Sequence, residues 1–456
     1  MVGSVRAVAR DARRALREGP EGIQRRQRER LADAVAYARA NAPFYRELYR
    51  DLPDRVTDPT LLPVTDKKLL MANFDEAVTD RAVTLAKVEE FVADPARAGE
   101  RFTDAGHLVA TTSGTSGVRG LFVLDDHSSR VIFGLGRRSN PDLGLRGVLR
   151  LLARGGRTAL LAAPPGHFYT YASTARMVRE HRRLAGMMRM FSIQQPLPEL
   201  VAELNAYRPA MLGGFLSSMI MLAAEQEAGR LAIDPVLVLP GGETVTDQAR
   251  ARIERAFGAR IRSVYGSTEC YFLSTGCSEH WYHVNADWAV LEPVDAEHRP
   301  VPPGEPSHTV LISNLANRVQ PFLRYDLGDS VVLRPDPCPC GNPLPAVRVQ
   351  GRAADLLAFP GVRAAAELSP MLFGTLLDRI PGLDRYQVIQ TAPTVLRVRL
   401  QPHPGADPDE VWCAVRDGLD RVLAEHGVTG VALDRATELP ERTTGGKVRR
   451  IVPLPA

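Results

Sequence analysis

The chain has 456 residues, 45% hydrophobic and 24% charged, with a formal net charge of +4. That balance excludes a disordered chain, a coiled coil and a collagen-like protein, and the length predicts a large domain with a smaller one. The 57 basic residues are matched by 53 acidic ones in the same segments, with no basic run interleaved with aromatics, so no nucleic-acid partner is expected.

Met1 to Arg30 lacks the apolar stretch of a secretory signal, and no segment approaches the ~20 apolar residues of a membrane span. Arg13 to Arg30 is basic but carries Glu18, Glu21 and Glu29, and reads as a solvated helix face. Residues 24–42 show helical periodicity, with Leu31, Ala34, Val35 and Ala38 on one face, until Pro43 ends it. Asp66 to Leu70 reads as the cap and start of a short helix. His107 to Ala110 is strand-like.

Between 158 and 265, strand candidates at 158–163, 189–193, 211–215, 235–240 and 261–265 alternate with helical patterns near 171–183, 197–206, 216–228 and 245–257. Such alternation predicts a parallel sheet covered on both faces, with ligands at the C-terminal ends of its strands. Residues 285–350 look more antiparallel, with short strands such as Thr309 to Ser313. Beyond 352 a helix near 367–379, strands near 386–390 and 395–401, a helix at 408–425 and a final strand near 430–434 form a small α+β unit. The expected class is α/β: a large N-terminal domain over 1–350 with parallel α/β sheets plus a smaller antiparallel region, and a small mobile C-terminal α+β domain over 351–456.

Five segments carry chemistry. Thr111-Thr-Ser-Gly-Thr-Ser-Gly117 follows a strand; its glycines permit positive φ, and its hydroxyls and N–H groups suit a phosphate. It is not a Walker A loop, because no Gly-Lys-Ser/Thr follows. Tyr265-Gly-Ser-Thr-Glu269 ends in a carboxylate fit for Mg²⁺. Arg324-Tyr-Asp-Leu-Gly-Asp329 offers acceptors for ribose hydroxyls. Gly351-Arg352 opens the small unit. Pro440-Glu-Arg-Thr-Thr-Gly-Gly-Lys-Val-Arg-Arg450 puts Lys447 on a Gly-rich loop. Only four of the basic residues are lysines, namely Lys67, Lys68, Lys87 and Lys447, and base composition explains the scarcity but not where Lys447 sits. Each segment alone is also an ordinary connector or turn.

Five cysteines in a chain of this length make no disulfide framework, and a reducing cytoplasm is the default. Cys277, His283, Cys338 and Cys340 supply three thiols and an imidazole, the donors of a closed tetrahedral zinc site, with His280 as the alternative nitrogen. Four protein ligands leave no open position for catalysis. Cys270 reads as a small pocket-wall residue, and Cys413, on an amphipathic helix, as core.

Taken in order, and together with Gly241-Gly242-Glu243, the segments resemble the adenylate-forming superfamily of acyl- and aryl-CoA synthetases, adenylation domains and luciferases, and within it the phenylacetate-CoA ligase-like branch, from about residue 25 to the C-terminus. That branch includes members with a cysteine/histidine cluster in this region. The resemblance implies that Thr112, Ser113, Gly114, Thr115, Ser116 and Gly117 hold the β- and γ-phosphates of ATP. It places Gly242 and Glu243 beside adenine, with Tyr265 stacking near it, and Gly266 and Ser267 within the same turn. Thr268 would contact the α-phosphate, Glu269 Mg²⁺, and Asp329 the ribose with Arg352 beside it. Lys447 would reach the α-phosphate and the attacking carboxylate. The acid pocket would be lined from 166–173 and 213–217 and by residues after Glu269, with His167, Phe168, Tyr169, Tyr171, Gly213 and Gly214 among them, and its aromatic walls suit a planar acid.

The implied reaction is ATP-dependent activation of a carboxylic acid, aromatic in type, as an acyl-adenylate with loss of pyrophosphate, then transfer to CoA. Passage to an amine, a carrier protein or another nucleophile is the alternative, and a non-catalytic nucleotide-binding protein is opposed by intact Glu269, Asp329 and Lys447. A homodimer is compatible with the resemblance. Three features depart from the family: Val118-Arg119-Gly120 stands where a lysine often follows the phosphate loop. Ala354, with Asp355 next, stands where an aspartate commonly forms the hinge. Ala358 to Arg363 differs from the usual hinge strand.

Overall fold

The computed structural model describes residues 4–454 other than 113–119, 137, 139–142, 163–165, 182–184, 194, 244, 353–356, 361–365, 369 and 442–448. Ser113 to Gly117, Ala354, Asp355 and Lys447 therefore lie outside the described residues.

The α/β alternation folds into one five-stranded parallel sheet. Its order is Met188–Ser192, Thr158–Ala162, Met211–Phe215, Leu237–Gly241 and Arg260–Ile261. The crossovers carry the helices Tyr169–Glu180, Leu197–Tyr207, Leu216–Glu227 and Asp247–Phe257. Local chemistry sets the limits of the last of these. Thr246 Oγ1 accepts from the Ala249 N–H at 3.3 Å, and Gly258, at φ 57°, ends it. Ala159, Leu161, Leu212 and Val238 of the strands pack with Leu200, Leu204, Leu216, Met219, Leu222, Ile253 and Phe257 of the helices in one core.

Among the described residues the one sheet paired in parallel throughout is this one. Its last strand stops at Ile261, short of the expected 265. The reason is competition for hydrogen bonds: the Ser263 carbonyl accepts from Gly276 N at 2.8 Å, and that of Tyr265 from Ser274 N at 3.0 Å. The backbone thus leaves the parallel sheet for an antiparallel neighbour. That neighbour is four-stranded, in the order Asp329–Leu333, Ala346–Arg352, Tyr282–Val284, Ser274–Gly276. A three-stranded sheet of Ala289–Val294, Thr309–Asn314 and Tyr325–Asp326 lies against it, within a core shared with the first helix.

That first helix runs Val5–Asn41, broken at Gly19 (φ 72°) ahead of Pro20. Its basic stretch is not wholly solvated, as the sequence predicted. Arg26 is buried because Glu18 (2.8 Å) and Asp11 (3.2 Å) neutralise it, and an unpaired buried guanidinium would be too costly.

In the C-terminal segment the strands Ala432–Arg435, Val395–Pro402, Leu383–Ala392 and Ile451–Val452 form a mixed sheet. The helices Pro370–Leu377 and Pro408–Glu425 complete a separate apolar core. The two-residue strand Ile451–Val452 escaped the sequence reading, since two residues carry no periodicity. Cys413 is exposed, not core. The helix buries Val411, Val415 and Leu419, and a residue two places after Val411 points about 200° away from it. Among the described residues, no helix is long and apolar enough to cross a membrane.

Candidate active site

Two of the chain's exits from the parallel sheet carry expected site residues: Gly242 and Glu243 follow strand Leu237–Gly241, and Tyr265 to Glu269 come soon after Arg260–Ile261. Strand Leu108–Thr111 meets the segment that follows Thr158–Ala162, because the Thr111 N–H donates to the His167 carbonyl at 2.7 Å. Thr112 then closes the base of the expected phosphate loop. Its N–H donates to the Gly120 carbonyl and its Oγ1 accepts from the Gly120 N–H, both at 3.1 Å.

Two bonds tie the 265–269 turn to the 325–329 segment. The Tyr325 hydroxyl donates to Glu269 Oε1 at 3.0 Å, and the Tyr265 hydroxyl to Asp329 Oδ2 at 3.0 Å. Glu269 is 6% exposed and Tyr325 2%. Burial and the Glu269 carboxylate push the Tyr325 phenol well above its ordinary range, so it stays a donor. Asn314 Nδ2 donates to the Glu269 carbonyl at 2.7 Å, fixing the backbone that aims the carboxylate. The turn itself is tight: a Cβ on Gly266 would meet the Tyr271 carbonyl at 2.7 Å. Asp329 is in backbone register with Arg352, and Ser267 and Thr268 are half-buried in the turn.

Glu243 is held at a helix start. The Ser217 N–H (2.6 Å) and hydroxyl (3.0 Å), in the first turn of Leu216–Glu227, both donate to its carboxylate, where the helix dipole favours an anion. Burial disfavours the Arg450 cation, but Tyr386, Asp378 and Glu243 outweigh it. The residue three places after Lys447 thus lies within the field of the expected adenine loop.

Of the expected acid pocket, Tyr169 is buried with its ring centroid 4.1 Å from that of Tyr271, while Phe168 and Tyr171 are half-buried. His167 is buried with Nε2 3.0 Å from the Asp94 carbonyl, so that nitrogen anchors backbone instead of facing a ligand. Gly213 and Gly214 serve close strand packing. A Cβ on Gly214 would meet the Leu161 carbonyl at 2.8 Å, and one on Gly213 the Leu160 side chain at 2.7 Å. Sequence reasoning had Ser217 only within the 213–217 stretch of the acid pocket and Tyr271 only among the residues after Glu269, and it missed Asn314, whose one visible signal was a polar residue closing an apolar strand.

Known structures share this fold. The 2-hydroxyisobutyryl-CoA ligase in its postadenylation state, in complex with 2-HIB-AMP, superposes with a TM-score of 0.69 at 20% identity, over 95% of this chain and 89% of that one. The chain has the fold of the adenylate-forming ligases. The same ligase in its thioesterification state, with 2-HIB-AMP and CoA, gives 0.54 at 18% identity over 95% and 90% of the two chains. The anthranilate CoA ligase AuaEII in complex with anthranoyl-AMP gives 0.53 at 14% identity over 76% and 65%. A stretch of 135 residues, 29% of this chain, is 27% identical to Protein CapK of Staphylococcus aureus, and it spans 28% of that relative's length. No protein-family model matches the chain.

On this adenylate-forming fold, a cysteine/histidine cluster sits at the far end of the sheet that carries Asp329 and Arg352. Cys277 follows strand Ser274–Gly276, His283 lies on Tyr282–Val284, and Cys338 and Cys340 lie between Asp329–Leu333 and Ala346–Arg352. Their four donor atoms lie within 4.8 Å of one another. Cys277 Sγ and Cys338 Sγ are 3.8 Å apart, and Cys340 Sγ is 3.2 Å from His283 Nε2. A tetrahedron with Zn–S of ~2.3 Å has an S–S edge of ~3.8 Å. The His283 Nδ1–H donates to the Leu344 carbonyl at 2.8 Å, which leaves Nε2 facing the thiols. Burial opposes ionisation of Cys277, but hydrogen bonds from His283 and the backbone of Trp281 and Glu279 bring it down to about 6. Burial and the neighbouring Cys277 push Cys340 up to about 12. His280 turns away, with Nδ1 2.7 Å from Asp247 Oδ1. Cys270 is fully buried behind Glu269.

Proposed function

We propose that the chain is an acid–thiol ligase of the phenylacetate-CoA ligase-like type that activates a carboxylic acid with ATP and transfers the acyl group to CoA. The observation that carries this reading is the pair of bonds joining Glu269 to Tyr325 and Asp329 to Tyr265. In the first step an oxygen of the acid attacks the α-phosphorus, the bond to the β-phosphate oxygen breaks, and pyrophosphate leaves. In the second, the CoA thiolate attacks the acyl carbonyl, the mixed anhydride opens, and AMP leaves.

The residues divide that work. Residues 112–117 hold the outer phosphates, Gly242 and Glu243 flank adenine, and Asp329 with Arg352 takes the ribose. Tyr265 shares the Asp329 carboxylate, so the ring is braced where it borders the base. Thr268 is assigned to the α-phosphate, as is Lys447, which lies outside the described residues. Glu269 would hold Mg²⁺, which when bound would supply charge neutralisation for the meeting of two anions. The Tyr169–Tyr271 stack supports an aromatic acid. The division into 1–350 and a moving 351–456, and a cytoplasmic location, belong to the same proposal.

The cysteine/histidine cluster fits a structural zinc: four donors, a tetrahedral edge and an outer hydrogen bond on the imidazole are all present. Bound there, the ion cross-links the far end of the strands whose near ends carry Asp329 and Arg352.

Acid-dependent pyrophosphate release tests the reading, with ATP, Mg²⁺ and a panel of aromatic and short hydroxy acids, followed by addition of CoA. Acyl-CoA from an aromatic acid is expected. Adenylate that never passes to CoA overturns the second step, preference for a short aliphatic acid overturns the aromatic assignment, and no pyrophosphate with any acid overturns the whole.

A further inference from the structure

The Asp378 carboxylate is the meeting point of two parts of the chain. Its Oδ1 accepts from Arg450 Nη1 at 2.7 Å and from the Tyr386 hydroxyl at 2.9 Å. Its Oδ2 accepts from Thr246 Oγ1 at 2.7 Å. Tyr386 lies in the C-terminal sheet, and Arg450 immediately precedes the strand Ile451–Val452, three residues past Lys447. Thr246 belongs to the parallel α/β region and stands three residues after Glu243.

The network therefore runs from Thr246, three residues past Glu243, through one carboxylate, to Arg450, three residues past Lys447 in sequence. A second contact runs alongside it, with Arg252 of helix Asp247–Phe257 3.5 Å from Asp384, two residues before Tyr386. Each residue at the first junction is chemically committed. The Thr246 hydroxyl has one proton, given to Asp378, and a lone pair that caps its own helix. A bond to a carboxylate is the stronger kind, yet one that breaks when the surfaces part.

We propose that Asp378 and Thr246 are positioning residues for the adenylation half-reaction: their bond seats the C-terminal sheet against the Gly242–Glu243 segment in that step and is broken in the second. This rests on the ligase reading above. It agrees with the better superposition on the postadenylation than on the thioesterification state of the same ligase.

Thr246→Asp tests it without removing the helix cap, because Asp caps as well as Thr but sets a second carboxylate against Asp378. Thr246→Gly, tolerated at caps, removes the donor without adding charge, and Thr246→Ser keeps it. Acid-dependent pyrophosphate–ATP exchange is expected to fall roughly 10-fold or more in Thr246→Asp and less in Thr246→Gly, the scale of losing one hydrogen bond to a charged group. Transfer from preformed adenylate to CoA is expected to stay within about 2-fold, the relative scale of a contact absent from that step. Amide hydrogen exchange over residues 383–390 is expected to quicken, and Thr246→Ser to match the wild type.

Unchanged amide protection in Thr246→Asp and Thr246→Gly overturns the proposal, as does an equal fall in both half-reactions. If the wild type shows no exchange with any acid, the ligase reading fails by itself, and the amide protection then decides the contact alone.

Discussion

Glu269 shows how a single side chain is made ready. Its carboxylate sits in a nearly closed environment, and the Tyr325 hydroxyl partners one of its oxygens. Tyr325→Phe is therefore expected to cost about 1–3 kcal/mol of stability, the scale of leaving a buried acceptor short of its donor. It is also expected to raise the Mg²⁺ concentration that half-saturates pyrophosphate release, and an unchanged Mg²⁺ dependence would count against Glu269 as the metal residue. Glu292 is the opposite case. Burial pushes it up to about 7 from an ordinary 4.5, although Arg324 Nε lies 3.4 Å away and lowers it; Asp58 adds to the rise. A folded value above the unfolded one means that folding favours the protonated acid. Its stabilisation is complete below pH 4.5 and is lost as pH rises through 7. Glu292→Gln should thus melt above the wild type at pH 8, by roughly 2–3 kcal/mol in stability, with the gap closing below about pH 5. A pH-independent gap would contradict the assignment. The charges of these residues could be read from the sequence, but their burial could not, because it depends on what folds over them.

At the scale of elements, most of the parallel sheet was legible. The segments 158–163 and 211–215, and the helical patterns near 197–206 and 216–228, all carry the period of what they become. The exceptions have physical causes. The last parallel strand is cut short by competing bonds to Ser274 and Gly276, and Ile451–Val452 is too short to show a period. The cysteine/histidine cluster is an element-scale device, joining a β-hairpin to a turn 55 residues beyond His283. Purified protein is expected to hold about one equivalent of zinc. Cys340→Ser is expected to lose most of it and to lower the melting temperature, because metal binding is coupled to folding. Full zinc content in Cys340→Ser would remove Cys340 from the ligand set.

For the whole molecule, the sharpest prediction concerns Lys447, which follows two glycines and stands three residues before Arg450 in the sequence. Lys447→Ala is expected to slow adenylation by roughly 10²-fold, the scale of losing one charge-stabilising donor. It should leave transfer from preformed adenylate intact, and wild-type pyrophosphate exchange in that variant would sink the assignment. By itself the sequence marked the candidate segments and their order, because glycine turns, hydroxyls and carboxylates are local and can be read residue by residue. It also determined the α/β alternation, through short-range periodicity. Only the tertiary structure decided that Tyr325 serves Glu269, that Ser217 holds Glu243, that one nitrogen of His167 is spent on the Asp94 carbonyl, and that Asp378 meets Thr246. Those pairings join residues 26 to 132 positions apart, and nothing in the local pattern of either partner encodes the other. They arise because hydrogen-bonding groups buried together must satisfy one another once water is excluded.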